Sequence, residues 1–240
     1  MKSFLRWLGF VALAMLVLQL YFIGRIALMV VVDPQSTAFE RSELYRIASE
    51  KGRLKLRHTW VPYAALSDNL KRAVIASEDA SFVGHDGVEL DALEQAWLKN
   101  AKAEKQASKS KRKVPKQPKI VGGSTITQQL AKNLFLSGER TFPRKAQELV
   151  LTFMLEAFLS KQRIFEIYLN SVEWGDGVFG AEAAAQRYYR KPAAALSAQE
   201  AAQLAVMLPR PKYFEAHMNS DYLAARAATI TARMNAVELP

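Results

Sequence analysis

Residues 122–133 have the sequence Gly-Gly-Ser-Thr-Ile-Thr-Gln-Gln-Leu-Ala-Lys-Asn, in which a glycine-containing loop runs into a helix. Thr125 and Gln128 have the spacing of a capping box, and apolar residues follow at helical intervals, at Ile126, Leu130 and Leu134. Exposed amide N–H groups and the positive end of a helix suit a phosphate group, and Lys132 follows two turns later. An ordinary capped helix has the same features, so this segment alone does not establish a phosphate site.

Helices with one apolar face are predicted for most of the remaining chain. They cover Ser67 to Glu78, a segment around Leu90 to Trp97, Pro143 to Phe158, Ser160 to Asn170, Ser197 to the prolines at 209 and 211, and Tyr222 to Met234. Ser197 forms a second capping-box pair with Glu200. Only Leu54 to Arg57 shows the short alternation of a strand. The predicted fold class is therefore mostly α.

The composition indicates one folded domain behind an N-terminal anchor. Of the 240 residues, about 200 remain after the first 33, which is enough for one filled core. The chain has no cysteine, which excludes disulfides and thiolate metal sites. Its histidines, His58, His85 and His217, are not in metal-ligand spacing, so a zinc site is not expected.

The net charge of +10 is concentrated in one segment, residues 99–119. Nine basic residues lie there against Glu104 alone: Lys99, Lys102, Lys105, Lys109, Lys111, Arg112, Lys113, Lys116 and Lys119. Without Leu, Ile or aromatic residues, this segment is expected to be a mobile basic loop. It either attracts anionic lipid headgroups or is a solvated insertion. Because the rest of the chain is nearly neutral, no nucleic-acid partner is expected.

The first 33 residues are predicted to hold a transmembrane signal-anchor. Trp7 to Gly24 is an uncharged run of 18 residues, and apolar character resumes from Ile26 to Val32. A bilayer core of ~30 Å needs about 20 such residues. Lys2 and Arg6 precede the run, which places the N-terminus in the cytoplasm and the chain after Asp33 outside it. The alternative, a cleaved signal peptide, fits less well because no small-residue cleavage site follows the run.

Three further polar clusters place ionisable side chains where helical packing does not require them. They are Glu78-Asp79-Ala80-Ser81-Phe82-Val83-Gly84-His85-Asp86-Gly87, the segment from Arg140 to Glu148, and the segment from Lys161 to Asn170. On a helix Glu148 shares a face with Arg144 and Lys145, which indicates either a surface ion pair or an anion site. Each cluster taken alone is compatible with a purely structural role.

Together and in this order, the four clusters resemble the motifs of the monofunctional peptidoglycan glycosyltransferases, or transglycosylases, of glycosyltransferase family 51. The shared patterns are Glu-Asp-x-x-Phe-x-x-His-x-Gly, Gly-Gly-Ser-Thr-Ile-Thr-Gln-Gln-Leu-x-Lys-Asn, Arg-Lys-x-x-Glu and Lys-x-x-Ile-x-Glu-x-Tyr-Leu-Asn. Residues 172–213 are similar to the monofunctional branch in particular. Two features depart from the family: only Arg226, Ile230 and Met234 suggest its arginine-rich last motif, and the basic segment is longer.

The resemblance implies a lysozyme-like, two-lobed helical glycosyltransferase domain with its cleft close to the membrane. The expected organisation is a cytoplasmic start and anchor over 1–33, a linker over 34–53, and the glycosyltransferase domain over 54–240 with the mobile basic loop at 99–119. Glu78 matches the family's catalytic glutamate, and Glu148 matches its second glutamate. The substrate-binding residues implied are Asp79, Phe82, His85, Ser124, Thr125, Gln128, Gln129, Lys132, Asn133, Arg140, Arg144 and Lys145.

The implied reaction transfers a growing lipid-linked glycan onto the 4-hydroxyl of the N-acetylglucosamine of lipid II. The sugar carbon is inverted, and polyprenyl diphosphate leaves. Glu78 is the expected base, whereas Glu148 either orients the cations or holds a divalent cation such as Mg or Mn at the diphosphate. No other cofactor is expected. The expected partners are lipid II, the growing glycan and the inner membrane, with cell-wall synthesis or division proteins as further candidates.

Two other functions are compatible with parts of the sequence. A lysozyme-like peptidoglycan hydrolase also uses a glutamate in a cleft between helical lobes, but it releases no diphosphate and needs no cation cluster. A non-enzymatic scaffold that grips anionic lipid through residues 99–119 leaves Glu78, Gln128 and Glu148 unexplained.

Overall fold

The computed structural model describes residues 2–52, 56–89, 123–139 and 141–240. Within these ranges the chain is predominantly helical, so the predicted fold class is confirmed. The helices are α1 (Lys2–Leu28), α2 (Ala38–Lys51), α3 (Asp68–Glu78), α4 (Ile126–Phe135), α5 (Phe142–Phe158), α6 (Lys161–Ser171), α7 (Ala181–Tyr189), α8 (Ala198–Met207), α9 (Pro211–Glu215) and α10 (Asp221–Arg233). The helix predicted around residues 90–97 and the basic loop at 99–119 lie outside the described residues.

Two groups of helices form the core, and residues of the predicted site lie on helices of both groups. In the first group, α3 and α10 pack on α8 through buried side chains such as Leu70, Leu204 and Leu223. In the second, α4 packs on α5 and α6 through Leu130, Leu151 and other fully buried residues. The C-terminal end of α3 reaches α4, because Glu78 is hydrogen bonded to a side chain of that helix.

The capping signals in the sequence mark the helix starts correctly. Thr125 and Gln128 form both bonds of a capping box at α4, and Ser197 and Glu200 do the same at α8. Ser160 caps α6, whereas Ser67 makes no capping bond and its hydroxyl instead donates to the Leu196 carbonyl. These local bonds satisfy amide groups that the first helical turn leaves without a partner.

Most of the segment predicted as a linker, residues 34–53, is helical. The start of α2 is fixed by a capping box of Thr37 and Glu40. The sequence did not indicate this helix, because six of the 14 residues in α2 are charged and the helix shows little apolar periodicity. Its charges are used in tertiary contacts: Arg46 pairs with Asp176 at 2.6 Å, and Glu43 pairs with Lys212.

A small sheet lies beside α2 and has the order β1 (Arg57–His58), β3 (Val178–Phe179), β2 (Glu173–Gly175). β1 is parallel to β3, with His58 opposite Phe179, and β2 is antiparallel to β3. The strand predicted at 54–57 overlaps β1 only at Arg57, and residues 54 and 55 lie outside the described ranges. Gly180 follows β3 at a φ of 81°, where a Cβ would lie 2.7 Å from the Asn170 carbonyl oxygen. Only glycine fits this position without strain.

The helix α1 is long and apolar enough to span a membrane, as judged by its length and composition. Most of its side chains are exposed, but Phe22 and Ile26 near its C-terminal end are buried against the domain. Phe22 lies edge-on to Phe135 of α4, and the amides of Gln19 and Gln147 exchange two hydrogen bonds of 3.1 Å. The last turns of α1 therefore pack on the helices that carry the predicted site.

Candidate active site

Glu78 is the last residue of α3 and points toward α4. Its Oε2 accepts a 3.0 Å hydrogen bond from Nε2 of Gln129. Burial raises the pKa of Glu78, the Gln129 hydrogen bond partly offsets this, and the neighbouring Asp79 carboxylate adds a smaller upward contribution. The charge of Arg226 on α10 lowers this pKa slightly, which gives a residue of the incomplete last motif an electrostatic role at the site. A half-buried carboxylate with a raised pKa is suited to accept a proton.

Gln129 is held in one orientation by Tyr168 of α6. The Tyr168 hydroxyl donates a 3.0 Å hydrogen bond to Gln129 Oε1, so the amide must present its N–H group to Glu78. Tyr168 is fully buried. From the sequence, Tyr168 was placed only within a helical motif, because these two contacts join residues that are 39 and 51 positions apart.

Asp79 and His85 support the start of α4 instead of facing a cavity. Asp79 accepts a hydrogen bond from the Ile126 amide through Oδ2 and one from His85 Nε2 through Oδ1, both of 2.9 Å. The Gly87 amide donates to Nδ1 of His85 at 3.1 Å, which places the imidazole proton on Nε2. Both carboxylate oxygens of Asp79 and both ring nitrogens of His85 are therefore used within the scaffold.

Three more residues predicted to contact the substrate are buried in the structure. The ring of Phe82 is fully buried and lies 5.5 Å from that of Phe165, so it packs within the core. Thr125 is buried, and its hydroxyl donates to the Gly87 carbonyl at 2.6 Å. Asn133 is also buried and does not line the cavity described next.

A cavity of about 330 Å³ lies between α4 and the start of α5. Its walls include seven of the residues predicted from the sequence: Ser124, Gln128, Gln129, Lys132, Arg144, Lys145 and Glu148. Phe39, Leu136, Ser137 and Gly138 complete the lining. Arg140, the remaining predicted contact, lies outside the described residues. The cavity thus combines three cationic side chains with amide and hydroxyl groups, which is the chemistry that binds phosphate oxygens.

Glu148 lies at the edge of this cavity in a fully paired state. Arg144 Nη1 lies 2.9 Å from its Oε2, and Lys145 Nζ is hydrogen bonded to its Oε1. The carboxylate is only 3% exposed, and the pairs follow from the helical spacing because α5 carries all three residues. Glu148 therefore fixes where two of the cavity's cations point.

Comparisons with known proteins show the family to which the chain belongs. Residues 46–235 fit the model of a protein family described as transglycosylase. This chain belongs to the transglycosylase family. It is 56% identical to a protein of Burkholderia thailandensis over 98% of this chain and 88% of the relative. It is also 53% identical to one of Paraburkholderia phytofirmans, over 98% and 94%, and 52% identical to one of Herminiimonas arsenicoxydans, over 100% and 99%. Each of the three is called biosynthetic peptidoglycan transglycosylase.

Membership of the transglycosylase family also supports the lysozyme-like fold class predicted from the sequence. The fold of this transglycosylase braces the site through a second polar network that sequence reasoning missed. Glu156 Oε1 accepts hydrogen bonds from Thr127 of α4 at 2.6 Å and from Lys161 of α6 at 2.8 Å. Lys161 also donates to the His85 carbonyl, so this network joins three of the four sequence motifs.

Among the described residues of this transglycosylase, the carboxylates near the site already have other partners, which limits their use as ligands for a divalent cation. Both oxygens of Glu148 are bound to cationic side chains, and no second acidic residue is among the described residues that line the cavity. Asp79, His85 and Glu89 have ligand atoms within 4.8 Å of one another, but those of Asp79 and His85 are used in the hydrogen bonds described above. This geometry favours a role for Glu148 in orienting the side chains of Arg144 and Lys145.

Proposed function

We propose that this chain is a membrane-anchored peptidoglycan glycosyltransferase that polymerises glycan strands from lipid II. The observation that carries the proposal is the placement of Glu78, a carboxylate with a raised pKa, across Gln129 from a cavity lined by cations. The names of the relatives support the same substrate class.

The proposed reaction transfers the growing lipid-linked glycan onto the 4-hydroxyl of the N-acetylglucosamine of lipid II. Glu78 takes the hydroxyl proton while the oxygen forms a bond to C1 of the growing chain. The bond from C1 to the diphosphate oxygen breaks, and its electron pair leaves with the polyprenyl diphosphate. Attack from the face opposite the leaving group converts an α-linked diphosphate into a β-1,4-linked glycan.

The cavity is proposed to hold the diphosphate through Lys132, Arg144 and Lys145. Charge-assisted hydrogen bonds from these side chains offset the negative charge that accumulates as the diphosphate leaves. Glu148 keeps Arg144 and Lys145 in place, so that little reorganisation is needed during the reaction. Ser124 and Gln128 line the same cavity and can donate further hydrogen bonds.

A lysozyme-type hydrolase is less consistent with this site. Cleavage of a glycosidic bond by a pair of carboxyl groups needs a second carboxylate that is available to water or to the sugar. Glu148 is instead nearly inaccessible and bound to two cations. The cations have a clear task when a diphosphate leaves and none when a sugar hydroxyl leaves.

The proposed location is the inner membrane, with the N-terminus in the cytoplasm and the catalytic domain in the periplasm. The helix α1 fits a single-pass anchor, and Lys2 and Arg6 at its start favour this orientation. A reporter that is active only outside the cytoplasm should therefore work when fused after Pro240, and loss of its activity would contradict the orientation.

The function is tested by incubating the purified full chain with labelled lipid II, with and without chelator and added Mg²⁺. We expect labelled glycan polymer and release of polyprenyl diphosphate. The same protein is then given preformed glycan strands. Cleavage of these strands with no growth from lipid II would replace the proposal with the hydrolase alternative.

A further inference from the structure

Phe39 is the one aromatic side chain among the described residues that line the cavity. It comes from α2, more than 80 positions before the other lining residues, which all lie between 124 and 148. It was not among the residues that the motifs indicated. Its position also distinguishes it, because only nine residues separate α2 from the end of the anchor helix α1.

The ring of Phe39 is held in place from behind. Its centroid lies 6.2 Å from that of Phe179 in β3, at an interplanar angle of 68°, which is a favourable edge-on geometry. Two residues before it, the capping box of Thr37 and Glu40 fixes the first turn of α2. Phe39 therefore has a defined position even though it is at the start of a helix.

The helix α2 is itself pinned to the domain at its other end. Arg46 pairs with Asp176 at 2.6 Å, and Lys212 of α9 pairs with Glu43. At the anchor end, the guanidinium of Arg163 bonds to the Met29 carbonyl at 2.8 Å and to Asp33 at 2.7 Å. The chain on both sides of Phe39 is thus fixed, and its ring forms a static wall of the cavity.

The other side of the cavity is strongly cationic, so the ligand must combine a negative group with an adjacent apolar one. In a lipid-linked sugar, the diphosphate is joined on one side to C1 of a sugar and on the other to an isoprenyl chain that continues into the bilayer. Phe39 lies on the first helix after the membrane anchor, and of the two groups joined to the diphosphate only the isoprenyl chain is wholly apolar. An aromatic ring also offers apolar contact area without a polar group that would need a partner.

We infer that Phe39 binds the phosphate-proximal isoprenyl units of the lipid substrate and thereby helps to set the specificity for a prenyl carrier. This inference rests on the proposed function. In this inference Phe39 contributes to substrate binding, whereas the proton transfer is assigned to Glu78.

The inference is tested with the full chain and two substrates that share the same disaccharide-peptide and diphosphate. One carries the natural polyprenyl chain, and the other carries an oligoethylene glycol spacer in place of the first isoprenyl units, followed by an alkyl chain. Phe39→Ala should raise KM for the prenyl substrate about tenfold, because apolar contact of one ring is lost, and should leave kcat nearly unchanged. For the spacer substrate, KM should change less than about twofold because no isoprenyl contact exists to be lost.

Three control variants separate binding from folding. Tyr45→Ala removes an aromatic ring from the same helix at a site that is 78% exposed and does not line the cavity, so both KM values should stay at the parental level. Phe39→Leu keeps apolar volume and should retain most of the preference for the prenyl substrate. If Phe39→Ala unfolds, Phe39→Leu is compared with Phe39→Gln instead. Glutamine is similar in volume to leucine but polar.

The outcomes distinguish this inference from the proposed function. If the parent polymerises neither substrate, the proposed function fails. If the parent polymerises both and Phe39→Ala changes their KM values equally, or changes neither, the inference is overturned. An equal loss would place Phe39 at the part of the ligand common to both substrates, the sugar or the diphosphate.

Discussion

Glu78 and Glu148 are the same residue type near one cavity, yet their surroundings are opposite. Glu78, at the end of α3, receives a hydrogen bond from the neutral amide of Gln129 and makes no ion pair within the described residues. Glu148, on α5, is bound by both Arg144 and Lys145. Burial raises the pKa of Glu78 and makes it a better proton acceptor, whereas the ion pairs of Glu148 with Arg144 and Lys145 make it a positioning group. In the proposed function, this difference assigns Glu78 to the proton transfer and Glu148 to the diphosphate site.

Removal of the proton acceptor should have the largest effect. Glu78→Gln keeps the size of the side chain but cannot accept the hydroxyl proton, so we expect polymerisation to fall by roughly 10²–10⁴-fold. The rate is measured from the conversion of labelled lipid II into polymer, and thermal unfolding shows whether the fold is intact. Near-normal polymer yield from a folded Glu78→Gln variant would contradict the assignment of the base.

Loss of the second carboxylate should be severe but should have a different character. In Glu148→Gln, Arg144 and Lys145 lose their common partner, and we expect kcat/KM to fall about 10–100-fold with a change in affinity for the substrate. Substrate affinity is measured with the full chain in detergent or bilayers. Glu50→Gln is the matched control, because Glu50 also pairs with an arginine, Arg46, but on the exposed side of α2. An unchanged affinity in Glu148→Gln would contradict a role at the diphosphate.

The hydrogen bond from Gln129 should set the pH dependence of the rate. This bond lowers the pKa of Glu78, so Gln129→Leu should raise that pKa further. A base must be deprotonated to act, and the acid limb of kcat/KM should therefore move to higher pH, with the greatest loss of rate at low pH. Tyr168→Phe, which frees Gln129 to rotate, should move the limb in the same direction by a smaller amount. If the acid limb of kcat/KM does not move in Gln129→Leu, the pKa seen in the kinetics does not belong to Glu78.

Substitution of a third glutamate, Glu173 in β2, is expected to have the smallest effect on the polymerisation rate. Burial raises its pKa to about 7, and its Oε1 makes no hydrogen bond with the described residues although Lys212 Nζ lies 3.4 Å away. The pKa of Glu173 is higher in the folded protein than in the unfolded chain. Its contribution to the stability of the folded state is therefore fully present below about pH 4.5 and is lost as the pH rises through about 7.

Glu173→Gln should remove this pH dependence and stabilise the protein at pH 8 by on the order of 1–3 kcal/mol relative to its effect at pH 4.5. Denaturant unfolding of the full chain at several pH values measures the change. Equal pH dependence in the parent and in Glu173→Gln would show that Glu173 titrates normally. The polymerisation rate should change little, because Glu173 lies outside the cavity.

Local signals in the sequence were sufficient for most helices and for the cationic face of the site. Thr125 with Gln128, and Arg144 with Glu148, interact over three or four positions, so the spacing alone predicts the contact. Thr37 and Glu40 form an equally local capping box. The helix that follows them was not predicted, because its many charged residues leave little apolar periodicity. The family motifs then indicated which polar residues belong together.

Contacts between distant segments could not be predicted from spacing. Gln129 meets Glu78 across 51 positions, and Phe39 reaches the cavity from a segment with no motif. The motifs also do not separate residues that contact a substrate from those that support them. Phe82 and Asp79 are as prominent in the sequence as Glu78, yet their side chains are buried within the scaffold.

The most direct test of the account compares the titration of Glu78 with the pH dependence of catalysis in the full chain. Carbon-13 NMR of labelled glutamate, assigned with the Glu78→Gln variant, gives the pKa of this carboxyl, and kcat/KM for lipid II polymerisation gives the kinetic acid limb. We predict that both midpoints coincide, that they lie above the ordinary value for a glutamate, and that both move upward together in Gln129→Leu. A Glu78 carboxyl that titrates in the ordinary range, or an acid limb that does not follow it, would contradict its role as the base.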